Sequence, residues 1–250
     1  MVYHIGMTPA ERASAVAFAL KNCALEAMTP GEATRRAAAD YEAGHIDVAR
    51  LIDVADGDQL PASGVFARNV LIAERGWRPS GDLSELVAIH RALFEGVFDD
   101  AGLLRTSDTT RKATHDEARA SNPEAFFPAS LIETGALNIA TELAEQHNLQ
   151  ALDRDVFIPK FAHIYDELGY LHPFRGGNAM TLRVFGSRLA HDAGWDLDWG
   201  PVTRERYRQA KHAAYLADTS VFERLFAEMI RPANPTRVFL IAGFEQGPAH

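Results

Sequence analysis

The sequence predicts a mainly α-helical fold with one small β-hairpin, preceded by a small three-helix unit at the N-terminus. Three observations point there. Helix-start signals recur early in the chain, long segments carry apolar residues at helical spacing, and one extended polar stretch over about residues 105–128 interrupts them.

Thr8, Pro9 and Glu11 supply a capping hydroxyl, a proline at the first helical position and a carboxylate three residues after the cap, so a helix starts here and runs to about Met28. Thr29, Pro30 and Glu32 repeat the arrangement and predict a second helix that stops near Gly44. Ile46, Ala49, Leu51 and Ile52 keep helical spacing and predict a third over 46–54. Residues 56–64 are polar and rich in helix breakers, which makes them the expected boundary between a unit over 1–57 and a second domain over 64–250.

From Asp82 onward, Leu83, Leu86, Val87, Ile89, Leu93, Phe94 and Val97 form a helical stripe that ends in a turn at 99–102, and His90 within it is read as structural. The polar stretch that follows is too long to sit unused in a compact domain. Its His115, Asp116 and Glu117 are adjacent, so they cannot face one metal ion from regular structure. Helices follow over about 129–147 and 155–168, the second with apolar Val156, Phe157, Phe161, Ile164, Tyr165 and Leu168. A loop at 169–171 leads into a glycine-rich turn, and helices close the chain over about 178–193, 207–215 and 219–230.

Composition narrows the function. With 250 residues, 47% of them hydrophobic, the chain can bury a substantial core. A net charge of −9 argues against nucleic acid as the main partner while allowing a local basic pocket. The single cysteine, Cys23, excludes an intramolecular disulfide and a thiolate zinc cluster, and is read as a small buried hydrophobe. No apolar run suits a membrane span, and no signal peptide is evident. The expected location is the cytoplasm, with export left to a dedicated secretion system.

The chemistry concentrates in His172, Pro173, Phe174, Arg175, Gly176, Gly177, Asn178, Ala179, Met180, Thr181, Leu182 and Arg183. His172 can act as a base near neutral pH, the Gly177-Asn178 turn can direct backbone N–H groups at an anion, and Arg183 can clamp a phosphate from the helix that follows. This is a phosphate-handling loop that opens a helix.

The stretch resembles the signature of Fic domains, HPFx(D/E)GN(G/K)RxxR. The match holds at His172, Pro173, Phe174, Gly177, Asn178 and Arg183, while Gly176 replaces the metal-binding carboxylate and Met180 the first arginine. The resemblance extends over about 65–230, through Leu86 to Phe94, the Ala101-Gly102 turn with Arg105, and Leu197, Asp198, Trp199, Tyr207 and Ala210. It implies a Fic-type helical bundle. It further implies that AMP moves from ATP to a Ser, Thr or Tyr hydroxyl of a target protein, with His172 as the base. Gly177 and Asn178 would contact phosphate oxygens and Arg183 the γ-phosphate, while a hairpin flap over 106–128 would align the target segment by strand addition.

Two departures carry consequences. Without a carboxylate at Gly176 a hard cation such as Mg²⁺ loses its side-chain anchor, and Met180 removes a charge-assisted phosphate contact. Each loss costs a few kcal/mol of transition-state stabilisation, so AMP transfer is expected to be weak or altered.

The N-terminal unit is similar to the inhibitory helix that restrains many Fic proteins, (S/T)xxxE(G/N), found in small antitoxins or fused to the chain. Asn22 stands for the Ser/Thr, Glu26 for the glutamate and Ala27 for the Gly/Asn. Asn22 and Glu26 lie one turn apart and face the same way. The resemblance implies that Glu26 pairs with Arg183 and displaces the γ-phosphate. Three functions compete: an autoinhibited nucleotidyl transferase, a Fic-fold pseudoenzyme that binds a nucleotide or protein without turnover, and transfer of a different phosphate-containing group.

Overall fold

The computed structural model describes residues 7–111, 124–234 and 240–241, and these fold into ten α-helices with two small sheets. Helix α1 (Pro9–Ala24) begins at the reciprocal cap that its sequence encodes: the Thr8 hydroxyl accepts from the Glu11 N–H while the Glu11 carboxylate accepts from the Thr8 N–H. It buries Ala15, Val16, Phe18, Ala19 and Cys23, and burial pushes the Cys23 thiol up to about 12. The helix stops short of the expected Met28 because Ala27 takes a left-handed conformation, φ 58°.

The second capping arrangement does not form. Helix α2 (Glu32–Glu42) has Gly31 as its cap residue with no side-chain bond; Asp58 instead accepts from the Thr34 N–H at 3.2 Å and Ser63 Oγ accepts from the Gly31 N–H at 2.9 Å. Helix α3 (Val48–Gly57) is capped by Asp47. The breaker-rich residues 56–64 reduce to a three-residue turn, because Pro61 at a first-turn position starts α4 (Pro61–Arg75), a helix not expected from the sequence. Helix α1 packs chiefly on α4, which also packs on α3 and on α5 (Leu83–Phe94), whose cap is Asp82.

A three-residue 3₁₀ turn (Ala129–Leu131) precedes α6 (Ile132–Glu145). Helix α7 (Arg154–Leu171) absorbs the expected loop at 169–171 and ends at His172. Helix α8 (Asn178–Asp192) is the centre of the molecule: every residue from Met180 through Ala190 is buried, with α5, α7 and α1 packed around it. A helix buried on all faces must place its polar groups in satisfied positions, which is why Arg183 and Arg188 carry specific partners. Arg188 pairs with the buried Glu85 at 2.6 Å. Helices α9 (Arg204–Tyr215) and α10 (Ser220–Met229) complete the bundle.

The expected hairpin is represented by β1 (Thr110–Arg111) and β2 (Glu124–Ala125), antiparallel with Thr110 opposite Ala125. A second sheet was not expected: β3 (Trp195–Asp198) runs antiparallel to β4 (Ile230–Pro232) and parallel to β5 (Leu240–Ile241). His115, Asp116 and Glu117 lie outside the described residues. No helix among the described residues is long and apolar enough to cross a membrane.

Candidate active site

The glycine-rich turn is held by bonds within itself and from α5. His172 closes α7 in a left-handed conformation, φ 45° and ψ 60°, and its ring stacks on Phe126 with centroids 3.8 Å apart. The Asn178 side chain bridges the turn: Oδ1 accepts from the Phe174 N–H at 2.9 Å and Nδ2 donates to the Phe174 carbonyl at 2.8 Å. Its amide therefore shapes the loop, while the backbone N–H groups of the first turn of α8 have no side-chain cap.

Gly177 adopts φ 75° and passes so close to Phe94 that a Cβ would lie 2.3 Å from its ring carbon Cε2. No residue with a side chain fits there. His90 supports the same loop from below. Its Nδ1 accepts from the Gly102 N–H at 2.8 Å, so Nε2 carries the proton and donates to the Gly176 carbonyl at 3.0 Å. Its ring also stacks on Phe174 at 3.9 Å. Burial lowers its pKa, outweighing the bond to Gly176 and the charge of Asp100, so this imidazole is held neutral.

Arg183 has no solvent exposure; Asn22 on α1 and Glu26, which lies in the turn after α1 rather than on the helix as expected, enclose it. Nε donates to Asn22 Oδ1 at 2.6 Å, Nη2 to the Asn22 carbonyl at 3.1 Å and Nη1 to Glu26 Oε1 at 2.9 Å, while the Tyr207 ring lies 5.0 Å beneath the guanidinium. Asn22 is itself fixed, donating to Asn69 Oδ1 at 2.8 Å, and Asn69 donates to the Val65 carbonyl within α4. The sequence-derived set of Asn22, Glu26 and Arg183 thus meets around the buried guanidinium, with Glu26 half-buried, and His172, Gly177 and Asn178 meet in the adjoining turn.

A cavity of about 650 Å³ opens beside the turn, lined by His172, Asn178, Ala179, Leu182 and Tyr165, with Arg208, Lys211 and His212 of α9 in its wall. Thr181 Oγ1 in the same wall is buried and has no hydrogen-bond partner among the described residues. Gly176 offers no side-chain donor to a cation, and the motif places no other carboxylate at that position. Met180, where a phosphate-binding arginine would stand, is 1% exposed and turns into the core.

Several residues of this site carry no local signal in the sequence. His90 and Phe94 sit on an ordinary helical stripe, Asn69 lies in the unexpected α4, and the importance of Arg105 and Phe126 depends on loop geometry. The positive φ at His172 and Ala27 is equally invisible, because neither residue type advertises a left-handed backbone.

The Fic/DOC family model matches residues 80–190. A probable protein adenylyltransferase Fic of Salmonella typhimurium is 32% identical over 154 residues, covering 62% of this chain and 72% of that protein. Its Escherichia coli counterpart is 30% identical over 152 residues, covering 61% of this chain and 71% of that one. Among solved structures, the N-terminal Fic domain of a VirB-translocated Bep effector protein from Bartonella quintana, with bound ADP, superposes at a TM-score of 0.60 with 27% identity, covering 70% of this chain and 84% of that one.

Proposed function

The chain belongs to the Fic/DOC family, and on that premise we propose that it is a nucleotide-binding transferase of the adenylyl-transfer type, acting on a hydroxyl of a target protein and restrained by its own first helix. Residues 1–57 serve as the inhibitory unit and 64–250 as the transferase domain. The observation that carries this reading is the state of Arg183: the phosphate-binding arginine that the motif retains is fully enclosed by Asn22 and Glu26, so a γ-phosphate has no access to it while α1 is seated.

In this reading the nucleotide occupies the cavity beside the turn, with its phosphates at the uncapped start of α8 and His172 at the end nearest the strand pair. His172 removes the proton from the target hydroxyl, which attacks the α-phosphorus, and pyrophosphate leaves. The target segment docks along β1 and β2. The residues at the Mg²⁺ position do not fit that ion, since Gly176 has no side-chain oxygen to hold it. Relatives that share the family name act as adenylyltransferases by name, and a related Fic domain holds ADP, which supports ATP as the donor.

A second reading, a nucleotide- or protein-binding module without turnover, is favoured by Gly176 and by the burial of Met180. Labelled ATP separates the two. The wild-type chain should transfer little or no label; the Glu26→Gly chain should label itself or lysate proteins, and Glu26→Gly with His172→Ala should not. Nucleotide binding by Glu26→Gly without any transfer would favour the second reading.

A further inference from the structure

We propose that Arg105 is a positioning residue that couples the seating of the β1–β2 strand pair to the orientation of the His172 ring, an inference that rests on His172 being the reacting base. Arg105 is 3% exposed, and its guanidinium donates to main-chain carbonyls from three separate stretches. Nε donates to His172 at 2.7 Å, Nη2 to Leu171 at 3.3 Å and also to Phe127, and Nη1 to Ser107 at 3.0 Å. Its own N–H donates to the Pro173 carbonyl at 2.9 Å.

A residue that only capped α7 would need the bonds to Leu171 and His172. The bonds to Ser107 and Phe127 reach the two ends of the strand pair and contribute nothing to that cap. They matter because of what those ends carry. Phe126 stacks on the His172 ring at 3.8 Å and 12°, and its N–H donates to the Thr109 carbonyl, while the Phe127 N–H donates to Tyr170 in the last turn of α7.

The His172 backbone is therefore fixed in its left-handed conformation by Arg105, and the aromatic face against its ring is carried by strands that Arg105 also holds. A peptide that joins the strand pair shifts Phe126 and the Ser107 and Phe127 carbonyls together, and the rigid guanidinium passes that movement to the His172 carbonyl. Lysine cannot substitute, since one ammonium cannot span acceptors set out for a planar fork.

Nuclear magnetic resonance on the full chain tests this without nucleotide or turnover. The His172 ring protons in wild type should be shifted upfield by the Phe126 ring, with Phe126→Ala defining the unstacked value. Arg105→Lys should lose more than half of that shift; a full wild-type shift in Arg105→Lys would overturn the coupling. Phe126→Ala also answers on its own should Arg105→Lys fail to fold. It leaves every Arg105 acceptor in place, yet coupling requires it to speed hydrogen exchange at Arg105 Nε–H severalfold. An unchanged exchange rate would overturn the proposal. Absence of transfer by the Glu26→Gly chain would count against the proposed function alone.

Discussion

Glu26 Oε1 lies 2.9 Å from Arg183 Nη1 across 157 residues of chain, and the two sides of this pair differ in access: Arg183 is fully enclosed while Glu26 keeps 31% of its side-chain exposure. The pair therefore opens from the Glu26 side. The asparagine contacts persist when Glu26 is gone, but they are neutral and cannot match the attraction of a phosphate for a guanidinium. On the proposed reading, a contact built this way occupies the arginine and yields to a nucleotide.

Ala27→Gly should stabilise the chain. Ala27 sits at φ 58°, where an L side chain costs about 1 kcal/mol and glycine does not. The expected gain of about 0.5–1 kcal/mol raises the melting temperature by roughly 1–4 °C for a chain of this size. A differential scanning measurement that finds Ala27→Gly less stable than wild type would show that the turn after α1 is shaped by something other than backbone preference.

Gly176→Glu and Met180→Arg should behave differently, although both restore family residues. A Cβ at Gly176 meets nothing nearer than Phe98 Cε2 at 4.0 Å, so glutamate is accommodated with a change in stability within about 0.5 kcal/mol. Met180 is 1% exposed, and arginine there buries a guanidinium without a partner, costing about 2–5 kcal/mol. Gly176→Glu alone should introduce Mg²⁺-dependent nucleotide binding, read by titration with and without the ion. Equal stability of both variants in thermal melts would contradict the burial argument.

Gly177→Ala should damage the turn itself. Positive φ and a 2.3 Å approach to the Phe94 ring combine to an expected loss of roughly 2–4 kcal/mol. Gly81→Ala is the comparison at nearly the same positive φ, 73°, because a Cβ there meets nothing nearer than Asn148 Oδ1 at 3.5 Å, an ordinary contact. If the two variants lose equal stability, the packing of Phe94 against the turn is not what selects glycine at 177.

Much of this architecture is legible in the sequence because it follows from local rules. The Thr8 cap and the apolar stripe that begins at Leu83 each have a physical cause within a few residues, and both appear in the structure, although the helix ends at Phe94 and leaves out Val97. The pairing of Glu26 with Arg183 is accessible only through resemblance, since no local rule brings α1 onto α8. Helix α4 escapes notice because breaker-rich residues before it suggest a boundary, whereas Pro61 starts a helix. The three-stranded sheet is hidden because β4 and β5 are too short to show a strand pattern, and β3 buries only its two central residues. At Asn178 the sequence suggests a phosphate ligand, and the geometry gives its amide to Phe174.

Acid should loosen the turn through His90. Its pKa is lowered by burial, so above the ordinary histidine value of about 6.5 it is neutral in both folded and unfolded chains and its contribution is intact. As pH falls below that value the unfolded chain takes up a proton first, and stability is lost progressively toward the lowered folded value. Protonation would also remove the Nδ1 acceptor of Gly102. His191 has the opposite sign, its pKa raised by the Asp196 bond, so His90→Gln must be compared with wild type at each pH. The stability difference between the two should shrink from pH 7.5 to 5.5 in thermal melts; a constant difference would mean His90 is not held neutral.

If Glu26 holds Arg183 away from a nucleotide, calorimetric titration of ATP into wild type and Glu26→Gly reads the difference. Removal of Glu26 leaves the buried Arg183 charge with neutral partners, which costs about 1–3 kcal/mol of stability after allowing for the partial exposure of Glu26. The same change frees the guanidinium for phosphate. Glu26→Gly should melt roughly 2–12 °C lower and bind ATP at least about tenfold more tightly, the size of effect a charge-assisted hydrogen bond to phosphate supplies. Identical affinity and identical melting temperature in the two chains would contradict it, and residues 1–57 would then be an appended unit with no hold on the site.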